Sequence, residues 1–81
     1  MNVNVRLSAG LVPAQGNPRM TITLTDGATV ADLLAQLGRN HPDLQGKLET
    51  IIPVIDGRHA SRSQRLLPGQ EVALLLPAAG G

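Results

Sequence analysis

Two segments near the N-terminus alternate between apolar and polar side chains, and this alternation constrains the fold more than any other feature of the sequence. Residues 2–8 and 19–25 each place an apolar side chain at every second position. The apolar positions are Val3, Val5, Leu7, Met20, Ile22 and Leu24. A period of two is typical of a strand with one buried face. The intervening residues 9–18 contain two prolines and two glycines, so we expect a hairpin with a long loop.

The hydrophobic pattern changes to helical spacing after the Asp26-Gly27 turn. Thr29 is a suitable N-cap, and Asp32, three residues later, completes a shortened capping box and suits the positive end of a helix. The apolar side chains that follow at helical spacing are Val30, Leu33, Leu34 and Leu37. Gly38 stands in the usual C-cap place, so the sequence predicts a helix that ends there.

An irregular segment follows the helix and leads into another apolar run. His41-Pro42 interrupts the pattern, and Leu44 and Leu48 fit a short second helical turn. Residues 51–55 are an apolar run that contains Pro53. A proline inside a strand is tolerated only at an edge, at a bulge or at the first position. We therefore expect this strand to begin at Pro53 or one residue later.

Two turn signals organise the C-terminal third. Asp56-Gly57 between extended segments favours a hairpin, with residues 58–60 returning as a short strand. Pro68-Gly69 marks another turn before a final strand over residues 71–76. This order of elements predicts an α+β domain, with one main helix packed on one face of a mixed sheet of four or five strands. Because one helix covers only the centre of such a sheet, we expect the first and last strands to lie side by side in the middle.

The final strand is apolar on both of its faces. The side chains expected to point one way are Val72, Leu74 and Leu76. Ala73 and Leu75 point the other way, where a one-sided sheet would carry polar residues. Either loop residues such as Leu11 and Val12 cover this second face, or the face is an exposed apolar patch of the kind that marks a partner site.

The composition excludes several classes of function. The chain has 81 residues, 42% of them apolar, which suffices for one domain with a single modest core. The net charge is +1, with no basic run and no aromatic side chain, which argues against nucleic acid as the partner. Cysteine is absent, so disulfides and thiol nucleophiles are excluded. The N-terminus has the pattern of neither a signal peptide nor a membrane span, so we expect a cytoplasmic protein without a membrane partner.

The residues capable of chemistry form no cluster in the sequence. His41 and His59 fall in separate regions, and the six acidic residues are scattered. Asp26 and Asp56 belong to Asp-Gly turns, and Asp32 caps the predicted helix. We therefore expect no bound metal, no bound cofactor and no enzymatic activity of the chain by itself.

The last six residues, Leu76-Pro77-Ala78-Ala79-Gly80-Gly81, end in two residues without side chains. One interpretation is a frayed chain end, because disorder concentrates at termini. The other is that the Gly81 carboxylate is a reactive group. A chain end without Cβ atoms can thread a narrow channel into the active site of another enzyme.

Four parts of the sequence together resemble the β-grasp sulfur carriers, ubiquitin-like proteins such as the small subunit of molybdopterin synthase and the thiamine sulfur carrier. They are the helix from Thr29 to Gly38, the Asp56-Gly57 hairpin, the segment from Leu67 to Val72 and the ending from Leu76 to Gly81. The length and the Pro-Ala-Ala-Gly-Gly ending are more similar to the molybdopterin synthase small subunit. That subunit often has an aromatic-Ala segment and then Arg-Glu after its first strand, whereas this chain has Leu7 to Pro13 there.

The resemblance implies a ubiquitin-like β-grasp domain over residues 1–76 and a flexible tail over residues 77–81. It also implies that an ATP-dependent, ubiquitin-activating-type adenylyltransferase adenylates Gly81. Sulfur from a donor such as a desulfurase or a rhodanese then replaces the adenylate, which gives a thiocarboxylate. The large subunit of a synthase would accept this sulfur, most simply in molybdopterin (molybdenum cofactor) biosynthesis. ATP would be used by the activating partner and not bound by this chain.

The tail and the last strand would make the contacts with these partners. The residues expected to thread the partner's active site are Pro77, Ala78, Ala79 and Gly80. Pro77 restricts the base of the tail, which limits the entropy lost on binding. Ala73 and Leu75, on the second face of the final strand, would form the docking face.

Several functions remain open at this stage. The sulfur could serve cysteine, thiamine or another sulfur metabolite. The activated glycine could instead be joined to lysines, as in a ubiquitin-like modifier. A non-reactive β-grasp binding module with a frayed Gly-Gly end is the third class.

Overall fold

The computed structural model describes residues 1–11 and 17–77, which form a five-stranded sheet and two α-helices. The strands are β1 (Asn2–Leu7), β2 (Arg19–Thr23), β3 (Ile52–Ile55), β4 (Arg58–His59) and β5 (Glu71–Leu75). The helices are α1 (Val30–Asn40) and α2 (Gln45–Leu48), and short 3₁₀ turns lie at Ala9–Leu11 and Pro42–Leu44. The predicted α+β architecture is therefore confirmed.

The sheet is mixed, and its strands lie in the order β2-β1-β5-β3-β4. β1 and β5 are parallel neighbours at the centre, as predicted, with Val5 opposite Val72 and Leu7 opposite Leu74. The remaining pairs, β1 with β2, β5 with β3 and β3 with β4, are antiparallel. Because β1 and β5 are parallel, the C-terminal ends of both strands lie at the same end of the sheet, and the C-terminal tail leaves from this end.

One face of the sheet and the apolar side of α1 form the core. The strands contribute Val3, Val5, Leu7, Ile22, Ile55, Val72 and Leu74, and α1 contributes Val30, Leu33, Leu34 and Leu37. Leu44 and Leu48 are also buried, which confirms the predicted short second helical turn. Leu11 is completely buried in the same core, so it does not cover the second face of β5, and Val12 lies outside the described residues.

Helix α1 begins where the sequence predicts but ends later. The Asp32 backbone N–H donates to the Thr29 hydroxyl, and the Thr29 backbone N–H donates to the Asp32 carboxylate, which forms a capping box. The prediction that Gly38 ends the helix is wrong, because α1 continues to Asn40 and His41 is its C-cap. Gly38 is buried, and a Cβ built on it would lie 3.1 Å from the Gln45 Cγ. Its lack of a side chain therefore allows the following segment to pack closely against α1.

Strand β3 begins before Pro53, which corrects the predicted start. The Pro53 carbonyl accepts a hydrogen bond of 2.9 Å from the Ala60 backbone N–H, on the β4 side. The N–H and C=O of one residue in an extended strand point to the same side, so the missing Pro53 N–H also faces β4. The ladder between β3 and β5 therefore loses no donor at Pro53, and the strand can start at Ile52.

The two predicted turns are confirmed. Asp56 and Gly57 both have positive φ, 53° and 77°, as a two-residue turn between antiparallel strands requires. Gly69, with φ of 77°, makes the turn before β5. The strands themselves are slightly shorter than predicted, since β2 ends at Thr23, β4 at His59 and β5 at Leu75.

Candidate functional site

The base of the C-terminal tail is fixed to the end of β1. The Ser8 backbone N–H donates to the Leu74 carbonyl at 3.1 Å, and the Leu76 backbone N–H donates to the Ser8 hydroxyl at 3.1 Å. The side chain of Ser8 thus extends the parallel ladder between β1 and β5 beyond the last strand residue. Leu76 is half-buried and packs against the core, whereas Pro77 is exposed. The backbone at the base of the tail is therefore held at a defined position, and Pro77 is exposed to solvent.

The 3₁₀ turn at Ala9–Leu11 completes this anchor. A Cβ built on Gly10 would lie 2.7 Å from the Leu76 Cδ2, so a side chain at position 10 would push against Leu76. The Lys47 Nζ, from α2, donates a hydrogen bond of 2.9 Å to the Gly10 carbonyl. Ser8 and Gly10 are separated from Leu76 by more than sixty positions in sequence, so no local pattern could have identified them as residues that hold the tail.

The face of the sheet that turns away from α1, which we call the outer face, has an apolar half beside the tail. Leu75 is 40% exposed there, and its cross-strand partner Ile52 is half-buried. Ala73 is only 6% exposed and lies between its cross-strand partners Arg6 and Val54. Of the two residues predicted to form the docking face, Leu75 thus offers most of the contact area.

The other half of the outer face is polar. Asn2 and Asn4 of β1 stand opposite Thr23 and Thr21 of β2. The Thr23 hydroxyl donates to the Asn2 side chain at 2.8 Å, and the Thr21 hydroxyl donates to the Asn4 side chain at 3.2 Å. These side-chain pairs stabilise the pairing of the two strands.

The two histidines lie on different elements of the fold. His41 is half-buried as the C-cap of α1, and His59 is exposed on β4. Within residues 1–11 and 17–77, no three His, Cys, Asp or Glu side chains come close enough to hold a metal ion.

The longest helix of the described residues, α1, has 11 residues. No helix in this part of the chain has the length and apolarity needed to cross a bilayer.

The residues predicted to carry the chemistry come after this base. Of the predicted tail, Ala78, Ala79, Gly80 and Gly81 lie outside the described residues. Between the anchored Leu76 and Gly81 are four residues, which allow the terminal carboxylate to reach about 15 Å beyond the domain when extended. The site is thus a fixed base, an apolar patch beside it and a short tail.

Several known proteins are similar to this chain in sequence or in fold. A relative from Chlamydomonas reinhardtii is described as a molybdopterin synthase sulfur carrier subunit. It is 31% identical over an 83-residue alignment, which covers 100% of both chains. The crystal structure of SAMP1, small archaeal modifier protein 1, from Haloferax volcanii is 26% identical with a TM-score of 0.87, again over 100% of both chains.

A third similar structure comes from a complex of subunits 1 and 2 of the molybdopterin-converting factor of Helicobacter pylori. It covers 100% of both chains at 21% identity and a TM-score of 0.71, so this likeness concerns the fold alone. The structural matches confirm the predicted ubiquitin-like β-grasp fold. The profile of the ThiS family matches residues 5–81. The chain therefore belongs to the ThiS family.

Proposed function

We propose that this chain is a sulfur carrier protein whose C-terminal glycine, Gly81, is adenylated and then converted to a thiocarboxylate. The observation that carries the proposal is the family match itself, which runs to residue 81 and so includes the Gly-Gly end. The anchored base at Ser8 and Leu76 supports it, because a tail that leaves from a fixed point can be directed into a partner's active site.

The chemistry requires only the terminal carboxylate of this chain. A carboxylate oxygen of Gly81 attacks the α-phosphorus of ATP in the activating enzyme, and pyrophosphate leaves. The outer sulfur of a cysteine persulfide on a desulfurase or a rhodanese then attacks the acyl adenylate and displaces AMP, which is a far better leaving group than the original oxygen. A thiol of the partner proteins cleaves the S–S bond of the resulting acyl disulfide, which releases the thiocarboxylate and leaves a disulfide on the partner side. The catalytic groups belong to the partners, so the chain acts as a carrier and not as an enzyme.

The acceptor that we propose is the large subunit of molybdopterin synthase. The Chlamydomonas relative is described as the sulfur carrier subunit of molybdopterin synthase. The Helicobacter structure is of a complex between two subunits of the molybdopterin-converting factor. In this proposal Pro77, Ala78, Ala79 and Gly80 thread the active site of the large subunit, while Leu75 contacts its surface. Carriers that deliver sulfur to cysteine, thiamine or another metabolite would use the same tail and are the alternative within this function.

The reactive carboxylate is tested by ATP–pyrophosphate exchange with an activating enzyme of the source organism. We expect exchange with the full chain and none with a chain that lacks Gly81. Addition of a sulfur donor, the large subunit and the sulfur-free pterin precursor should then yield molybdopterin if the proposed acceptor is right. Exchange that persists without Gly81 would contradict the assignment of the reactive group.

Protein modification is a second candidate, and the likeness to small archaeal modifier protein 1 favours it. The sequence offers a clean test, because Lys47 is its single lysine. An activated Gly81 that forms chains of this protein on lysine side chains must use Lys47, so Lys47→Arg would abolish such chains. Conjugates to other proteins that require Gly81, seen as a ladder on a denaturing gel, would favour the modifier.

A further inference from the structure

Two arginines on the outer face form a cross-strand pair of like charges. Arg6 of β1 lies directly opposite Arg19 of β2, and both side chains are exposed. The other two outer-face pairs between these strands are joined by Asn–Thr hydrogen bonds. Like charges placed directly opposite each other in a sheet are destabilising. Strand pairing therefore does not explain this pair.

Neighbouring carboxylates compensate the pair only in part. The Arg6 Nε lies 3.9 Å from the Glu71 Oε1, beyond hydrogen-bonding distance, and both side chains are more than half exposed, at 52% and 57%. Within the described ranges, no carboxylate lies within 4.0 Å of the Arg19 guanidinium. Residues 12–16 contain no acidic side chain. The cluster of Arg6, Arg19 and Glu71 thus keeps a net positive charge.

The position of the pair relates it to the tail. β1 and β5 are parallel, and Arg6 is the cross-strand neighbour of Ala73. Arg6 and Arg19 therefore lie near the end of the sheet from which the tail leaves, on the same face as Leu75. They border a shallow concavity of about 350 Å³ that Glu71 also lines. A protein that takes up the tail and covers Leu75 would also approach this concavity.

We propose that Arg6 and Arg19 bind the carboxylates of an acidic segment on the protein that takes up the tail. This inference rests on the proposed carrier function and adds the chemistry of the partner's surface. A guanidinium presents a planar fork of donors that matches a carboxylate, and such charge-assisted hydrogen bonds are strong and directional. Complementary charge on the partner removes the repulsion between the arginines. Nucleic acid is a poorer occupant, since the chain has no aromatic side chain for base stacking.

The test compares Arg19→Gln with Arg39→Gln, which removes the same charge from α1 on the other side of the sheet. The probe is the ATP-dependent activating enzyme of the source organism, and the association rate is measured by stopped flow between low and high NaCl. We expect Arg19→Gln to lower the association rate by about three- to tenfold at low salt, with the difference fading at high salt. Arg39→Gln should associate like the original protein. The melting temperature of Arg19→Gln should be equal or higher, because a like-charge contact is relieved.

Three results would overturn the inference. Equal rates for Arg19→Gln and the original protein would show that the arginines are not contacted, and equal losses for both variants would show that only net charge matters. The third is a shift of the Arg6 and Arg19 Nε resonances on deletion of residues 78–81, which would identify the chain's own C-terminal carboxylate as the occupant. ATP–pyrophosphate exchange is recorded on each sample, so a failure of the carrier function itself would appear as no exchange with the original protein.

Discussion

Truncation of Leu75 tests whether the apolar half of the outer face contacts partners. Complete burial of a leucine side chain contributes about 1.5–3 kcal/mol. Leu75 has 40% of its surface still exposed, so a partner that covers it gains about 1 kcal/mol from this residue. Leu75→Ala should therefore raise the Kd for a tail-accepting partner by about fivefold. Leu75→Glu should weaken binding further, because a charge would lose its water at the contact.

Leu67→Ala is the matched control for this experiment. Leu67 is 63% exposed and precedes the turn at Pro68-Gly69, at the end of β5 opposite the tail. Isothermal titration calorimetry with the activating enzyme should give a weaker Kd for Leu75→Ala and an unchanged Kd for Leu67→Ala. Urea denaturation of each variant separates binding effects from folding effects. An unchanged Kd for Leu75→Ala, or a weaker Kd for Leu67→Ala alone, would refute the assignment of the docking face.

Three further predictions concern the helix cap and the base of the tail. Thr29→Ala removes the capping box and should lower the free energy of unfolding by about 1 kcal/mol in urea denaturation, whereas an unchanged value would mean that the cap is dispensable. Gly10→Ala should also lower the free energy of unfolding, by at most about 1 kcal/mol, because the new methyl group has to displace the Cδ2 end of the half-buried Leu76 side chain. Gly46→Ala should instead raise the free energy of unfolding by up to about 1 kcal/mol, because an added Cβ there has no atom within 4 Å. Equal effects of the two glycine variants would contradict the packing argument. Ser8→Ala removes the acceptor of the Leu76 N–H, so hydrogen exchange of that amide should become about fivefold faster, while the exchange rates of the α1 amides stay the same. An unaltered exchange rate at Leu76 would exclude the anchor.

Local patterns predicted the elements whose stability depends on neighbours in sequence. The alternation around Val3 and Ile22 predicts half-buried strands because strand side chains alternate between faces. The start of α1 follows from Thr29 and Asp32, which satisfy each other within one turn. The Asp56-Gly57 turn follows from the positive φ that both positions need. In each of these cases the physical cause lies within a few residues, so the sequence alone reveals it.

The two predictions that were wrong, and the tail anchor that the sequence did not reveal, depended on contacts between distant residues or on direction within a strand. Gly38 looks like a helix end, but its lack of a side chain leaves space for Gln45 of α2, and α1 continues past it. Pro53 looks like a strand start, but its missing N–H faces away from β5. The anchor of Leu76 at Ser8 joins residues at opposite ends of the chain. Such contacts become visible only once the strands are placed beside one another.

The central claim, that Gly81 carries sulfur, is tested most directly by intact mass spectrometry. The protein is incubated with ATP, the activating enzyme of its source organism and a sulfur donor, beside a chain that lacks Gly81. We expect a mass increase that corresponds to the replacement of one oxygen by sulfur, located at Gly81 by fragmentation and absent from the shortened chain. An adenylate without sulfur would favour the modifier. An unchanged mass, under conditions in which an established carrier is converted by its own activating enzyme, would contradict the account.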